Sequence, residues 1–199
     1  MISHGSEKSV TCTIIGDGMV GKTEICQTFS GEKNSEEYKA TVTDEFMVST
    51  QMMGDKYMIK IVDSSGQHDY ENIRTKSYKE TDVFIVCYSV VDRESFESVE
   101  SFWISEIRKR CKKTPIILVA TGRDIEDENG NVSKYEDLND NVSKQEGLNI
   151  MDKCGANYYV ECSTHNQDEV NDLFEDVLLS VIKRRKRRRS SILRYLIAR

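Results

Sequence analysis

Gly16-Asp17-Gly18-Met19-Val20-Gly21-Lys22-Thr23 is the stretch from which the rest of the chain is read. It fits the pattern G-x-x-x-x-G-K-[ST], and its flanks fit as well. Val10 to Ile15 is an apolar run suited to a buried strand, and Glu24 to Phe29 can continue a helix. A glycine-rich turn between strand and helix lets backbone N–H groups curl around a β-phosphate, with the positive end of the helix aimed at the anion. Lys22 would reach the β- and γ-phosphates as a point charge, and Thr23 would offer its hydroxyl to Mg²⁺. The bland alternative is a glycine-rich β-turn with a stray lysine.

The 199 residues allow one domain of ordinary size with a real core. With 31% charged and 38% hydrophobic residues and no apolar run long enough to span a bilayer, the balance is that of a soluble globular chain. The net charge of −6 hides an asymmetry: from Lys183 onward there are nine basic and no acidic residues, leaving 19 basic against 34 acidic before it. An acidic body with a basic tail argues against a nucleic-acid-binding fold. The six cysteines form no C-x-x-C pair, and the reading is reduced thiols inside a cell. Residues 1–8 lack an apolar core, so no signal peptide is expected, and Ile2 occupies the place a myristoylated glycine needs.

Outward from the loop, strand and helix patterns alternate without an internal repeat. Phe46 to Met53 and Lys56 to Val62 read as strands meeting at a Gly54-Asp55 turn, the only hairpin signal noted. Val83 to Tyr88 and Pro115 to Ala120 read as strands buried on both faces. Asp92 should cap a helix with Phe96, Val99, Trp103, Ile104 and Ile107 inward. Residues 125–142 read as an acidic surface insertion. Ser143 to Glu146 has the form of a capping box, Asn157 to Cys162 that of a short strand, and Val170 to Ile182 carries one apolar helical stripe. This order predicts an α/β fold with a six-stranded, mostly parallel sheet covered on both faces.

The loop, Thr41, Asp63-x-x-Gly66-Gln67, Thr121-x-x-Asp124 and Glu161-Cys162-Ser163 recur in the order of the Ras-like small GTPases, and the chain resembles that family over about residues 9–182. Asp63 to Tyr70, Ser77-Tyr78, Trp103, the insertion and Gln145-Glu146-Gly147-Leu148 make it most similar to the Rho family. The resemblance implies a P-loop GTPase domain at 9–182, a flexible start at 1–8 and a polybasic tail at 183–199. It implies GTP/GDP and Mg²⁺ as cofactors and a GTP/GDP switch in cytoskeletal or membrane-trafficking signalling. Implied nucleotide contacts are Gly16 to Thr23 (Gly16, Asp17, Gly18, Met19, Val20, Gly21, Lys22, Thr23), Glu24, Thr41, Gly66, Thr121, Asp124, Ser163 and Thr164. Thr23, Thr41 and Asp63 would hold the metal; Gln67, Thr41 and Gly66 would serve hydrolysis.

In physical terms, Asp63 would hold Mg²⁺ through water, the Gly66 amide can approach a γ-phosphate because no side chain intervenes, and Gln67 would position the attacking water. Thr41 resembles the threonine that joins the metal shell only in the presence of that phosphate, so the loops around Thr41 and Gln67 would order with GTP and relax after hydrolysis. No built-in arginine is evident. An activating protein is implied, with effectors and an exchange factor, through residues 34–46 and 64–78; Gly18 leaves room for an inserted arginine. A monomer is expected.

The departures bear on mechanism. The guanine-reading strand of the family ends Asn/Thr-Lys-x-Asp; here it ends Thr121-Gly122-Arg123-Asp124, so the lysine is Gly122, while Asp124 still matches the two guanine N–H donors. The aromatic seven residues before the switch threonine is Asn34. Losing the aromatic contact removes about 1 kcal/mol, and losing a charge-assisted brace about 1.5–3 more. Together these loosen the nucleotide roughly ten- to several-hundred-fold, so fast exchange is expected. Ser65 stands for the usual alanine, Ala40 for a proline, and His68 for an acidic residue; His68 and His165 read as solvated loop residues.

The tail has the basic run Lys183 to Arg189 but no cysteine after Cys162 for prenylation. Three readings stay open: an anionic membrane surface bound with help from Ile192, Leu193, Tyr195, Leu196 and Ile197, nuclear import through 183–189, or a solvated helix end. A cytoplasmic protein, peripheral at the plasma membrane or an endomembrane, is the expectation from the first. For function, a slowly hydrolysing switch stands beside a non-hydrolysing, GTP-bound interaction module, with an adenylate-specific or kinase-type P-loop protein third.

Overall fold

Strand β1 (Lys8–Gly16) sets the frame because its side chains alternate between two apolar clusters. Val10, Cys12 and Ile14 face one side and Ile15 the other. The computed structural model describes residues 7–31, 43–67, 71–122, 124–126, 132–134 and 141–197, with 124–126, 132–134 and 191–197 as backbone only. After β1 come α1 (Lys22–Ser30), β2 (Thr43–Met52), β3 (Asp55–Ser64), the short α2 (Glu71–Arg74) and β4 (Val83–Ser89). Helix α3 (Arg93–Ser98) runs through a π-helical stretch (Val99–Ile104) into α4 (Ser105–Arg110). Then follow β5 (Ile116–Thr121), β6 (Asp124–Glu126), β7 (Val132–Lys134), α5 (Lys144–Cys154), β8 (Tyr158–Glu161) and α6 (Gln167–Ile197).

Six strands form one sheet in the order β2-β3-β1-β4-β5-β8, and only β2 runs antiparallel to its neighbour. The crossover helices explain the apolar runs of β4 and β5: every residue in both is buried, since each face is covered. On one face the cluster includes Ile14, Ile25, Ile85, Val119 and the α6 stripe Val170, Leu173, Phe174, Val177, Leu178 and Val181. On the other lie Phe84, Val86, Tyr88, Val99, Trp103, Ile107 and Leu118. The expected caps form: Asp92 Oδ1 accepts from Ser95 N at 3.2 Å, and Ser143 and Glu146 make the reciprocal capping box of α5.

Four expectations need correction. The β2–β3 turn is Met53-Gly54, not Gly54-Asp55; Met52 pairs with Asp55, and both turn residues have positive φ (52° and 81°), as a primed two-residue hairpin requires. A second antiparallel pair, β6–β7, lies in the insertion. Lys8 is not part of a leading segment but the first residue of β1, ion-paired with Asp55. Finally, the boundary at 183 is not a break in secondary structure: α6 continues through the basic run to Ile197, because no glycine or proline interrupts it and Arg184 and Arg185 are tied to the body at Asp82 and Ser9.

Candidate active site

The C-terminal ends of β1, β3, β4, β5 and β8 lie along one edge of the sheet, where an open parallel sheet presents a ligand crevice. Between β1 and α1 the phosphate loop turns over that edge. A Cβ on Gly16 would stand 2.2 Å from the Cys87 carbonyl oxygen, so only glycine permits β1 to turn there against β4. Gly21 caps α1 with φ 82°, and a Cβ on it would meet Thr164 Cγ2 at 2.7 Å. Lys22 is 6% exposed and donates through Nζ to the Asp17 carbonyl, folding back over the loop. Burial lowers its pKa, opposed by the Asp63, Asp17 and Glu24 carboxylates.

Asp63, at the end of β3, faces α1: Thr23 Oγ1 donates to its Oδ2 at 2.6 Å. Its Oδ1 is buried and has no hydrogen-bond partner among the described residues. Burial pushes this carboxyl up to about 6, against the Thr23 hydrogen bond and the Lys22 charge. A buried carboxylate with an orphaned oxygen beside a threonine hydroxyl fits a small divalent cation bound through few side chains, phosphates and water. Thr23 and Asp63 would hold Mg²⁺ here, and the ion would neutralise charge on the phosphates.

Three residues on, Gly66 packs on the phosphate loop: a Cβ there would lie 2.4 Å from Asp17 C and from Gly18 N. Ser65 is 3% exposed, and its Oγ accepts from Gln67 N at 3.2 Å, while the Gln67 residue itself is exposed. Among the described residues a Cβ on Gly18 would meet nothing within 4 Å.

The base end is a cavity of about 330 Å³ beside Met19, Gly21 and Glu24, closed by Ser89, Val91, Asp92, Thr121, Gly122, Ser163, Thr164 and His165. Thr121 Oγ1 donates to Val20 O at 2.9 Å, tying β5 to the phosphate loop. Ser163 N donates to Glu169 Oε2 at 2.8 Å, and Thr28 Oγ1 to Thr164 O at 2.7 Å, which fixes the last loop against α6 and α1. Gly122 has φ 80°, and a Cβ there would come within 2.7 Å of Ser89 Oγ.

Of the predicted residues, Gly16 to Glu24, Asp63, Gly66, Thr121, Ser163 and Thr164 are thus brought to one edge. Asp124 opens β6 directly after this edge, described by backbone only; Thr41, Asn34, His68 and Arg123 lie outside the described residues. Missed were Ser89, Val91 and His165, which line the cavity; their signal was position, at the ends of β4 and β8.

A model of the Ras family matches residues 11–183. The chain belongs to the Ras family. It is therefore a small GTPase, a member of a family that switches between GTP and GDP, binds Mg²⁺ and engages effector, activating and exchange proteins. In this GTPase the phosphate loop, Asp63 and Gly66 are the residues the geometry offers for that chemistry. Hydrolysis in such sites is mostly positioning and electrostatic stabilisation, and the surroundings of Lys22 and Asp63 are buried.

Proposed function

We propose that the chain is a Rho-like GTPase switch that holds its nucleotide by the phosphates, exchanges it fast and hydrolyses it slowly without an activating protein. Gly122 carries this reading: the lysine that braces the base and phosphate loop in relatives is missing, and the Ser89 hydroxyl occupies the space beside it. Asp63 to Tyr70, Trp103 and the insertion support the Rho-like part. Effector, activating and exchange proteins would meet residues 34–46 and 64–78, and Thr41 and Gln67 would act in hydrolysis. Release of mant-GDP in Mg²⁺ without an exchange factor tests it; release as slow as in ordinary family members refutes fast exchange.

Helix α6 supports a peripheral membrane role in the cytoplasm. It carries Lys186, Arg187, Arg188 and Arg189 exposed on a regular helix, and each basic side chain near an anionic surface contributes at most about 1 kcal/mol. Among the described residues no helix is long and apolar enough to cross a membrane. Fusing residues 183–199 to a fluorescent protein, with the basic run intact or neutralised, separates membrane from nuclear targeting.

A second reading, a GTP-bound module that does not hydrolyse, is favoured by one contact: the Ser65 hydroxyl accepts the backbone N–H of Gln67 at 3.2 Å, which ties the Gln67 backbone beside Gly66. Single-turnover hydrolysis compared with Gln67→Leu decides between them; a fall of about tenfold or more in the variant upholds the enzyme, and equal rates uphold the module.

A further inference from the structure

Gly66 is enclosed by a circuit of contacts that leaves the phosphate loop, passes through the helix on the far face of the sheet and returns. Trp103, fully buried in the π-helical stretch, donates from Nε1 to Asp17 Oδ1 at 2.7 Å. The Asp17-Gly18 peptide is the surface on which Gly66 packs. On the other side, Arg74 Nη1 donates to Ser65 O at 3.2 Å and to Gln67 O at 3.0 Å, the two carbonyls that flank Gly66. The guanidinium carbon lies 4.7 Å from the Trp103 ring centroid, which closes the circuit.

Arg74 is itself held. Nε and Nη2 fork onto Glu106 at 3.1 and 2.6 Å, and the Tyr78 hydroxyl donates to the same carboxylate at 2.5 Å. Arg74 is 1% and Glu106 3% exposed. Burial disfavours the Arg74 charge, but the Glu106 and Tyr78 contacts raise its pKa overall, so it stays a cation. A hydrophobic pair would fill the Arg74–Glu106 space at similar stability, and phenylalanine at Trp103 would keep an aromatic ring in the core at the cost of a small cavity. What only these residues supply is direction: an indole N–H on the phosphate loop and a planar fork with a spare edge for two carbonyls. A π-helical turn inside an α-helix is frequent at functional sites, and this one carries the residue that reaches the loop.

We propose that Trp103 and Arg74 are positioning residues that set the Gly66 amide and Gln67 against the phosphate loop and so couple the α3–α4 helix to the nucleotide state. The proposal rests on the chain being a hydrolysing switch. The variants Trp103→Phe, which keeps a ring and loses the N–H, and Arg74→Lys, which keeps the charge and loses the fork, are made in the full chain with melting by circular dichroism as the folding check. Single-turnover GTP hydrolysis should fall about three- to tenfold in each, with a smaller loss of GDP affinity, because GDP lacks the γ-phosphate that the Gly66 amide would approach. The double variant should be no slower than the worse single one, since both break one circuit.

Trp103 is the only tryptophan in the chain, so its emission reports the circuit directly. Emission should change when GDP is replaced by a non-hydrolysable GTP analogue, and Arg74→Lys should lose that change. Wild-type hydrolysis in both folded variants overturns the proposal; if Gln67→Leu is slow in the same assay, the switch stands and only the circuit falls. If wild type and Gln67→Leu hydrolyse alike, the enzyme reading fails, and emission decides: identical spectra with both nucleotides overturn the circuit, and a nucleotide-dependent spectrum abolished in Arg74→Lys upholds it.

Discussion

At the phosphate end of the site, Lys22, Asp63 and Ser65 are all buried; Lys22 bonds to the loop, Asp63 to Thr23 of α1, and Ser65 to Gln67 just after β3. At the base end, Met19 is 85% exposed, His165 is exposed, and Gly122 contributes no side chain. On the proposed reading, that difference locates the binding energy. Charged groups held in a dry frame interact strongly with a phosphate, whereas an open pocket without its cation would discriminate a base but grip it weakly. Affinity and base selection would then be separable.

The largest effect expected from breaking this contrast is at Lys22. Lys22→Met keeps the volume and removes the charge-assisted bonds to two phosphates, and GDP affinity should fall about 100-fold or more by equilibrium titration. Repairing the weak half should do less. Gly122→Lys alone meets Ser89 Oγ and a positive φ, so it should help little; combined with Ser89→Ala, mant-GDP release should slow about three- to tenfold. Unchanged release in the double variant would mean that the lysine is not what the base end lacks.

Met19 is a smaller test. Its φ of 61° suits glycine better, so Met19→Gly should gain at most about 1 kcal/mol in thermal unfolding.

The smallest effect lies beside the base end, where the Arg93 hydrogen bond, with Ser143, depresses the Glu146 carboxyl to about 2. A depressed acid stabilises the fold above its ordinary pKa and loses that contribution as pH falls toward the folded value. Glu146→Gln should thus cost less than about 1 kcal/mol at pH 7, because the pair is partly exposed. Urea unfolding of both proteins should converge between pH 5 and about 2.

Much of the site was legible because its chemistry is local. Gly16, Gly21, Lys22 and Thr23 are dictated within eight residues by a strand-to-helix turn, and Asp63 to Gly66 by the end of one strand. The α6 stripe and the Ser143 cap were equally legible, being periodic or contiguous. The extension of α6 was less so: a basic run reads as a solvated tail until Arg184 and Arg185 are seen bonded to Asp82. The Met53-Gly54 turn was missed by one residue, since register rather than composition fixes which two residues turn.

By itself the sequence determined the alternating α/β order, the phosphate loop, the loss of the base-bracing lysine and the Ras-like character of the chain, because each rests on neighbours along the backbone. Only the tertiary structure decided that Ser89 stands against Gly122, and that Trp103, 86 positions from the Asp17 it bonds, and Arg74, bonded to the Ser65 and Gln67 carbonyls, converge on Gly66. Such contacts are set by how the α3–α4 helix lies across the sheet, and no spacing in the chain encodes that.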